Sequence, residues 1–150
     1  MRSRAAVWLA ILLWAACGRD ASLPFPADAE ARITVRGESV WAEIVRSREE
    51  QRLGLSGRGG LAWDRGMLFV YDEAHFPAFW MKDMRFDIDI VWIRASRIVD
   101  IHHRVPHAVE PPLPLYQPRE AVDRVLELPA GAAQARGWRP GDPVEIVLRP

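Results

Sequence analysis

Hydrophobic and polar residues alternate over short segments along most of this chain, and turn residues separate the segments. Alternation with a period of two is typical of β-strands, because successive side chains point to opposite faces of a sheet. Clear examples are RITVR at residues 32–36 and DIDIVWI at residues 87–93. The pattern predicts eight strands, at residues 32–36, 40–46, 66–71, 79–82, 87–93, 97–102, 121–128 and 144–148.

Two short helices are predicted between these strands. Ser47 and Glu50 have the S-x-x-E spacing of a capping box, which predicts a helix over residues 48–53. A second helix is predicted within residues 129–136, before Gly137. Many short strands with only two single helices indicate an all-β sandwich or barrel.

Residues 105–118 form a proline-rich segment with five prolines in fourteen positions. Proline has no backbone N–H to donate, so a central strand is excluded and a long surface loop is predicted. A loop of this length in a compact domain is often functional. The alternative is an irregular cover over one edge of the sheet, and the sequence does not choose between the two.

The first 17 residues have the layout of a secretory signal. Arg2 and Arg4 precede an apolar run at residues 5–16. Twelve helical residues span about 18 Å, which is too short for a hydrocarbon core of about 30 Å. We therefore expect a signal peptide at residues 1–17, a flexible tether at residues 18–31 and a single domain at residues 32–150.

Cys17 is the only cysteine in the chain and stands where the apolar run ends. Small residues before a cysteine at this point resemble a bacterial lipoprotein signal, in which the thiol is acylated. This predicts a periplasm-facing protein held by its lipid, and Arg19 favours the outer membrane. The alternative is cleavage after Gly18, which would give a soluble periplasmic protein.

Charge and motifs exclude several classes of function. The net charge of the chain is zero and its basic residues are interleaved with acidic ones, so nucleic acid is not an expected partner. No phosphate-binding loop or nucleophile elbow is present. His103 and His107 are four positions apart, but Pro106 prevents the helix that would direct both at one metal. The sequence predicts neither a metal site nor a cofactor.

Lys82 is the only lysine, against nineteen arginines, and it lies in the aromatic segment FWMKDM. On the predicted strand, Trp80 and Lys82 share one side, so the ammonium is expected close to the indole. Asp83, Asp87 or Asp89 would neutralise it. Asp87 and Asp89 also share a side, about 7 Å apart, which suits either a pair of acid–base carboxylates or a solvated strand face.

Five segments of the chain resemble the domain of unknown function 192 family, also called uncharacterised protein family 0127. They are EQRLGLSGR (50–58), GMLFV (66–70), FWMKDMRFDIDIVWI (79–93), VLELPAG (125–131) and GWRPGDPV (137–144). The resemblance implies a mainly β fold, a compact jelly-roll-like sandwich, often exported. It implies no reaction. This sequence departs from the family at Asp83, commonly asparagine, and at Met84, commonly threonine.

Three hypotheses for function remain open. The leading one is a non-enzymatic binding or interaction domain for a small polar or carbohydrate-like ligand. Its candidate binding residues are Trp80, Lys82, Asp83, Asp89, Glu127 and Arg58. A second is a hydrolase or lyase that uses two of the acids Asp83, Asp87, Asp89 and Glu127. A third is a structural envelope protein in which Lys82 closes a buried ion pair.

Overall fold

The computed structural model describes residues 25–107 and 110–150, in which seven strands and two helices are found. The elements are β1 (Ala31–Val35), β2 (Glu38–Val45), α1 (Arg48–Leu53), β3 (Arg65–His75), β4 (Ile88–Arg94), β5 (Arg97–Val105), β6 (Val122–Pro129), α2 (Ala132–Ala135) and β7 (Val144–Leu148). The predicted signal segment, residues 1–17, lies outside the described residues. Within the described ranges, no helix combines the length and apolarity needed to span a membrane.

The strands form one sheet in the order β5-β4-β6-β3-β2-β1-β7. All neighbours run antiparallel except β2 and β3, which are parallel. The sheet curls into a half-barrel. Backbone bonds draw its two ends together, because Ile98 N–H donates to Asp142 O at 3.0 Å and Val144 N–H to Ser96 O at 2.9 Å. The mainly β fold class is therefore confirmed.

Two hydrophobic clusters cover the two faces of the sheet. The inner cluster takes side chains from all seven strands, which requires the sheet to curl around it. The outer cluster includes Phe69 of β3 and Trp92 of β4, and is covered by Leu55 and Met81 from outside the sheet. Strand β4 contributes to both clusters, and six of its seven residues are buried.

Several local predictions are confirmed. Helix α1 spans Arg48–Leu53, and its capping box is present: Ser47 Oγ accepts from Glu50 N–H, and the Glu50 carboxylate accepts from Ser47 N–H. The β1–β2 hairpin turns at Arg36 and Gly37, whose φ values are +52° and +78°. Positive φ at both central positions is the mark of a type I′ turn, which matches the twist of the two strands.

The predicted strand at residues 79–82 is wrong. Of these residues only Phe79 makes a β-bridge, to Tyr116, and Lys82 begins a turn. The chain reverses there because Asp83 has a φ of +58°, which ends any extended segment. Alternation of exposed and buried side chains persists over these four residues, which explains why the pattern resembled a strand.

The proline-rich loop covers the outer cluster. Phe79 and Tyr116 exchange two backbone hydrogen bonds, of 2.9 and 2.8 Å, and the Tyr116 ring packs edge-on against His102. None of the described loop residues lines either compartment of the cleft described below. The described part of the loop therefore packs over the outer face of the sheet and adds no residue to these two cavities.

Candidate functional site: a cleft above Glu127

Two glutamates lie on the outer face of the sheet, on either side of one methionine. Met67 of β3 is directly opposite Glu43 of β2 and also opposite Glu127 of β6. Residues paired across neighbouring strands point to the same face. The sheet therefore places both carboxyl groups on the face that carries Phe69 and Trp92.

Only one of these glutamates has a close cationic partner. Arg58, in the loop after α1, forms a bidentate ion pair with Glu43, with Nη2 3.0 Å from Oε2. This hydrogen bond is the main cause of the raised pKa of Arg58. Arg58 is thus committed to Glu43, and its effect on Glu127 is limited to the longer-range attraction of its charge.

Glu127 is a buried acid with one unpaired oxygen among the residues that the structure describes. It is 6% exposed, and its Oε2 has no hydrogen-bond partner among the described residues. Burial raises the pKa of Glu127 to about 8, and the charge of Arg58 opposes only part of that rise. At neutral pH the side chain is therefore mostly a neutral carboxylic acid, able both to donate and to accept a hydrogen bond.

A cavity of about 360 Å³ opens above Glu127, and we call it the Glu127 compartment. It lies between the end of α1, strand β3 and the segment before β4. Its walls combine aromatic and aliphatic side chains with several polar groups. The lining residues are Gln51, Arg52, Leu53, Gly54, Leu55, Ser56, Phe69, Tyr71, His75, Pro77, Ala78, Phe79, Trp80, Met84 and Glu127.

Gly54 lies beside the carboxyl group of Glu127 in this compartment. It follows the last residue of α1 with a φ of +50°, a conformation that L side chains rarely adopt. A Cβ at this position would lie 3.5 Å from the Phe69 ring and 4.0 Å from Glu127 Oε2. The backbone conformation at the helix end therefore favours glycine at this position.

Tyr71 and His75 form one side of the Glu127 compartment. Their rings pack edge-on with centroids 4.4 Å apart. Burial, and to a smaller degree the charge of Glu127, raises the pKa of Tyr71, so its hydroxyl keeps its proton at any physiological pH. Tyr71 can therefore act only as a neutral hydrogen-bonding group in the compartment.

A second cavity of about 330 Å³ adjoins the first, and we call it the Lys82 compartment. Arg52, Leu53, Ser56 and Trp80 line both cavities. The second cavity adds three charged residues that do not line the first: Glu49, Lys82 and Asp83. We refer to the two compartments together as the Trp80 cleft.

Lys82 lies on the open side of this cleft. Its Nζ is 5.6 Å from the centroid of the Trp80 ring, so the predicted proximity of lysine and indole is confirmed. Lys82 is exposed, and none of the ion pairs within 4.0 Å among residues 25–107 and 110–150 includes it. The hypothesis that it closes a buried ion pair is therefore wrong.

The turn that carries Lys82 is fixed to the loop after α1. Ser56 Oγ donates to Lys82 O at 2.9 Å, and Gly57 N–H donates to Asp83 O at 2.8 Å. These two bonds join the opposite walls of the Lys82 compartment. They hold its shape without any contribution from the charged side chains.

Asp89 does not line the cleft. It is fully buried, and its carboxylate accepts from the backbone N–H groups of Arg104 at 2.8 Å, Gly131 at 2.8 Å and Ala133 at 2.9 Å. These bonds connect β4 with β5 and with the start of α2. The expectation of a solvated face on this strand is wrong, because both faces of β4 pack against hydrophobic clusters.

The four acids of the hydrolase hypothesis are dispersed. Asp83 lines the Lys82 compartment and Glu127 lines the other. Asp87 is exposed, 2.6 Å from His107 Nδ1, and this contact lowers its pKa. With Asp89 committed to backbone amides, no two of these acids face the same compartment.

The model for the family DUF192, described as "Uncharacterized ACR", matches residues 31–146. This chain belongs to the DUF192 family. The resemblance drawn from the five sequence segments is thereby confirmed. The departure at Asp83 also has a structural explanation, since the positive φ there suits aspartate and asparagine better than most other residues. The turn therefore favours either residue type whether or not a ligand is bound.

Two solved structures resemble this DUF192 chain. One, from Sinorhizobium meliloti 1021, is described as a "putative transcription regulator"; it is 30% identical, with a TM-score of 0.71 over 81% of this chain and 97% of that one. The other, a protein of unknown function from Novosphingobium aromaticivorans DSM 12444, is 28% identical, with a TM-score of 0.69 over 76% and 83%. No curated protein matches the chain.

Several cleft residues were not predicted from the sequence of this DUF192 domain. Tyr71 and Gly54 lay at the ends of predicted elements and were assigned to a strand and a helix stop. Glu43 lay within the predicted strand at residues 40–46 and was not singled out. A polar residue at an inward position of an alternating strand is the signal that could have found Glu43 and supported Glu127.

Proposed function

We propose that this domain is a non-enzymatic binding module for a small polar, carbohydrate-like ligand that occupies the Trp80 cleft. The observation that carries the proposal is the Oε2 atom of Glu127, which is buried and without a hydrogen-bond partner among the described residues, in a side chain that lines a cavity. Buried polar atoms are nearly always hydrogen-bonded, so an exception at the base of a cavity calls for a partner from outside.

A hydroxyl group is the natural partner of this carboxyl. An unsatisfied buried donor or acceptor costs about 1–3 kcal/mol, and a ligand group that satisfies it recovers that free energy. A neutral carboxylic acid can donate its O–H to the oxygen of a sugar hydroxyl. Its carbonyl oxygen can accept a hydrogen bond from the O–H of a sugar hydroxyl. A ligand cation is less suitable, because it would have to bind beside the charge of Arg58.

The aromatic walls suit the body of a sugar ring. Trp80 is 49% exposed, so its indole face is available to a ligand. Phe79 and Tyr71 add apolar surface on the deeper side. A mostly apolar cavity with a small number of convergent polar groups is the usual form of a small-molecule site. The C–H faces of a sugar would pack on these rings while its hydroxyls reach Glu127.

The dispersal of the acids supports binding over catalysis. Glycoside hydrolysis by two carboxyl groups needs them on either side of one bond. Among the described residues of the Glu127 compartment, Glu127 is the only carboxyl group. A role in transcription, as named for the Sinorhizobium protein, is less favoured, because this chain has zero net charge and no basic stripe for DNA.

An exported, lipid-anchored location is part of the proposal and rests on the sequence of residues 1–17 alone. A periplasm-facing binding domain would encounter envelope glycans, which contain the kind of hydroxyl-rich ring that the cleft would accept.

A thermal-shift screen of envelope sugars tests the proposal, with Trp80→Ala as the site variant and Trp63→Ala as its matched control. Trp63 is 52% exposed, carries an arginine against its ring as Trp80 carries a lysine, and lies outside the cleft. A sugar should raise the Tm of the wild type and of Trp63→Ala but not of Trp80→Ala. No stabilisation of the wild type, or equal stabilisation of Trp80→Ala, would overturn the proposal.

A further inference from the structure

The two compartments adjoin each other and form the two halves of the Trp80 cleft. They share Arg52, Leu53, Ser56 and Trp80, and their volumes are about 360 and 330 Å³. Sites for small molecules occupy roughly 300–1,000 Å³, so each half alone is near the lower limit. A ligand that filled both would extend past the indole of Trp80.

The charged residues of the Trp80 cleft are not evenly distributed. Arg52 lines both compartments, and the ammonium of Lys82 lies 5.6 Å from the ring centroid of Trp80, which also lines both. Glu49 and Asp83 line the Lys82 compartment only. Arg52 and Lys82 therefore lie near the junction of the two compartments. Glu49 and Asp83 lie in the Lys82 compartment.

Both cations are available to a ligand. Neither Arg52 nor Lys82 takes part in an ion pair within 4.0 Å in the part of the chain that the structure describes. Arg58 offers the contrast, since its guanidinium is already held by Glu43. Two uncommitted cations at one junction favour a negatively charged group on the ligand.

We infer that the cleft binds a glycan of at least two sugar units, one of which carries a carboxylate that lies at the Trp80 junction between Arg52 and Lys82. This inference rests on the proposed function and narrows its ligand class. The uncharged unit lies over Glu127, the indole of Trp80 supports the linkage between the units, and the carboxylate is held by the two cations.

Isothermal titration calorimetry with a matched pair of disaccharides tests the inference. Chitobiose in its N,N′-diacetylated form is uncharged, whereas N-acetylglucosaminyl-N-acetylmuramic acid has similar sugar rings and one carboxylate. The acidic disaccharide should bind about tenfold or more tightly than chitobiose, a ratio that one charge-assisted hydrogen bond can supply. It should also bind more tightly than N-acetylmuramic acid alone, which can fill only one compartment.

Two variants test whether the preference for the acidic disaccharide arises at the Trp80 junction between the compartments. Lys82→Ala should remove most of the preference for the acidic disaccharide and leave chitobiose binding nearly unchanged. Arg85→Ala is the control, because Arg85 is an exposed cation three residues away that lines neither compartment. Arg85→Ala should keep the full preference, and both variants should unfold at the wild-type temperature because both side chains are exposed.

The failures of the two proposals can be told apart. Equal binding of the two disaccharides, a preference that survives Lys82→Ala, or equal affinity for one and two sugar units would overturn the inference and leave the proposed function standing. If neither disaccharide, nor N-acetylglucosamine, nor N-acetylmuramic acid binds the wild type, the proposed carbohydrate function fails as well.

Discussion

Glu43 and Glu127 lie on either side of Met67 on the same face of the sheet, but only Glu43 forms an ion pair with Arg58. Two residues of one chemical type therefore have different roles. Glu43 fixes Arg58 and the loop that follows α1. Glu127 is left as a buried acid facing a cavity, with a pKa raised to about 8.

The raised pKa of Glu127 predicts that the unfolding free energy of the protein depends on pH. With a folded-state pKa of about 8 and an ordinary value of 4.5, the folded protein holds one more proton than the unfolded chain between these pH values. The contribution of Glu127 to the free energy of unfolding should therefore fall as pH rises from about 5 to 8, by up to about 1.4 kcal/mol per pH unit. Urea denaturation at several pH values measures this slope.

Glu127→Gln is the matched variant for that slope, because glutamine keeps the shape of the side chain and does not titrate. The difference in stability between wild type and variant should change with pH by the amount that Glu127 contributes. Other ionisable groups cancel in this difference. Parallel pH profiles for the two proteins would mean that Glu127 titrates in its ordinary range.

Asp89 is predicted to be a structural residue. Asp89→Asn replaces one acceptor oxygen by an N–H donor, which leaves at least one of its three backbone N–H partners unsatisfied in the core. We expect a loss of about 2–3 kcal/mol in unfolding free energy. Asp87→Asn, two residues away and exposed, should cost no more than about 1 kcal/mol. Equal effects of the two substitutions in urea denaturation would contradict this assignment.

His102 is predicted to weaken the domain in acid. Its Nδ1 accepts from Trp92 Nε1–H at 2.7 Å, which requires an unprotonated nitrogen. Burial is the main cause of its lowered pKa. Since the unfolded chain takes up this proton first, the contribution of His102 to stability should fall as pH drops below about 6.5 and level off once the folded form is also protonated.

NMR of the Trp92 indole N–H checks this prediction, with His102 and the indole followed in the same acid titration. The indole proton should shift as His102 becomes protonated. His102→Gln should flatten the acid slope of stability, whereas His75→Gln, at an exposed position, should keep it. An indole resonance that stays constant while His102 titrates would rule out the proposed coupling.

The lipid anchor is a prediction from residues 1–17. Palmitate labelling in cells should mark the wild type, and Cys17→Ser should abolish both the label and recovery with the membrane fraction. A wild type that is exported but unlabelled would favour cleavage after Gly18 instead.

Strand alternation and turn residues were enough to predict most of the fold. The capping box at Ser47 and the final strand at Val144–Leu148 are present at the predicted positions. These features depend on neighbours in sequence. The segment at residues 79–82 was assigned wrongly because its extended shape comes from packing and from one distant bridge to Tyr116, not from a sheet.

The candidate site was predicted in part. Trp80, Lys82 and Asp83 lie together in the cleft, because they are close in sequence. Asp89 matched the same pattern but is occupied by amides from β5 and α2, fifteen or more positions away, which no local pattern reveals. The difference between Glu43 and Glu127 also depends on tertiary placement, since it is decided by which of them Arg58 reaches.

Chemical-shift mapping of the ¹⁵N-labelled protein with N-acetylglucosaminyl-N-acetylmuramic acid tests whether the Trp80 cleft is a ligand site. The indole N–H of Trp80 and the backbone amides of Gly54 and Ser56 should shift together and saturate, while the indole N–H of Trp63 should stay in place. An absence of saturable shifts, or shifts centred on Trp63, would contradict the proposed binding site.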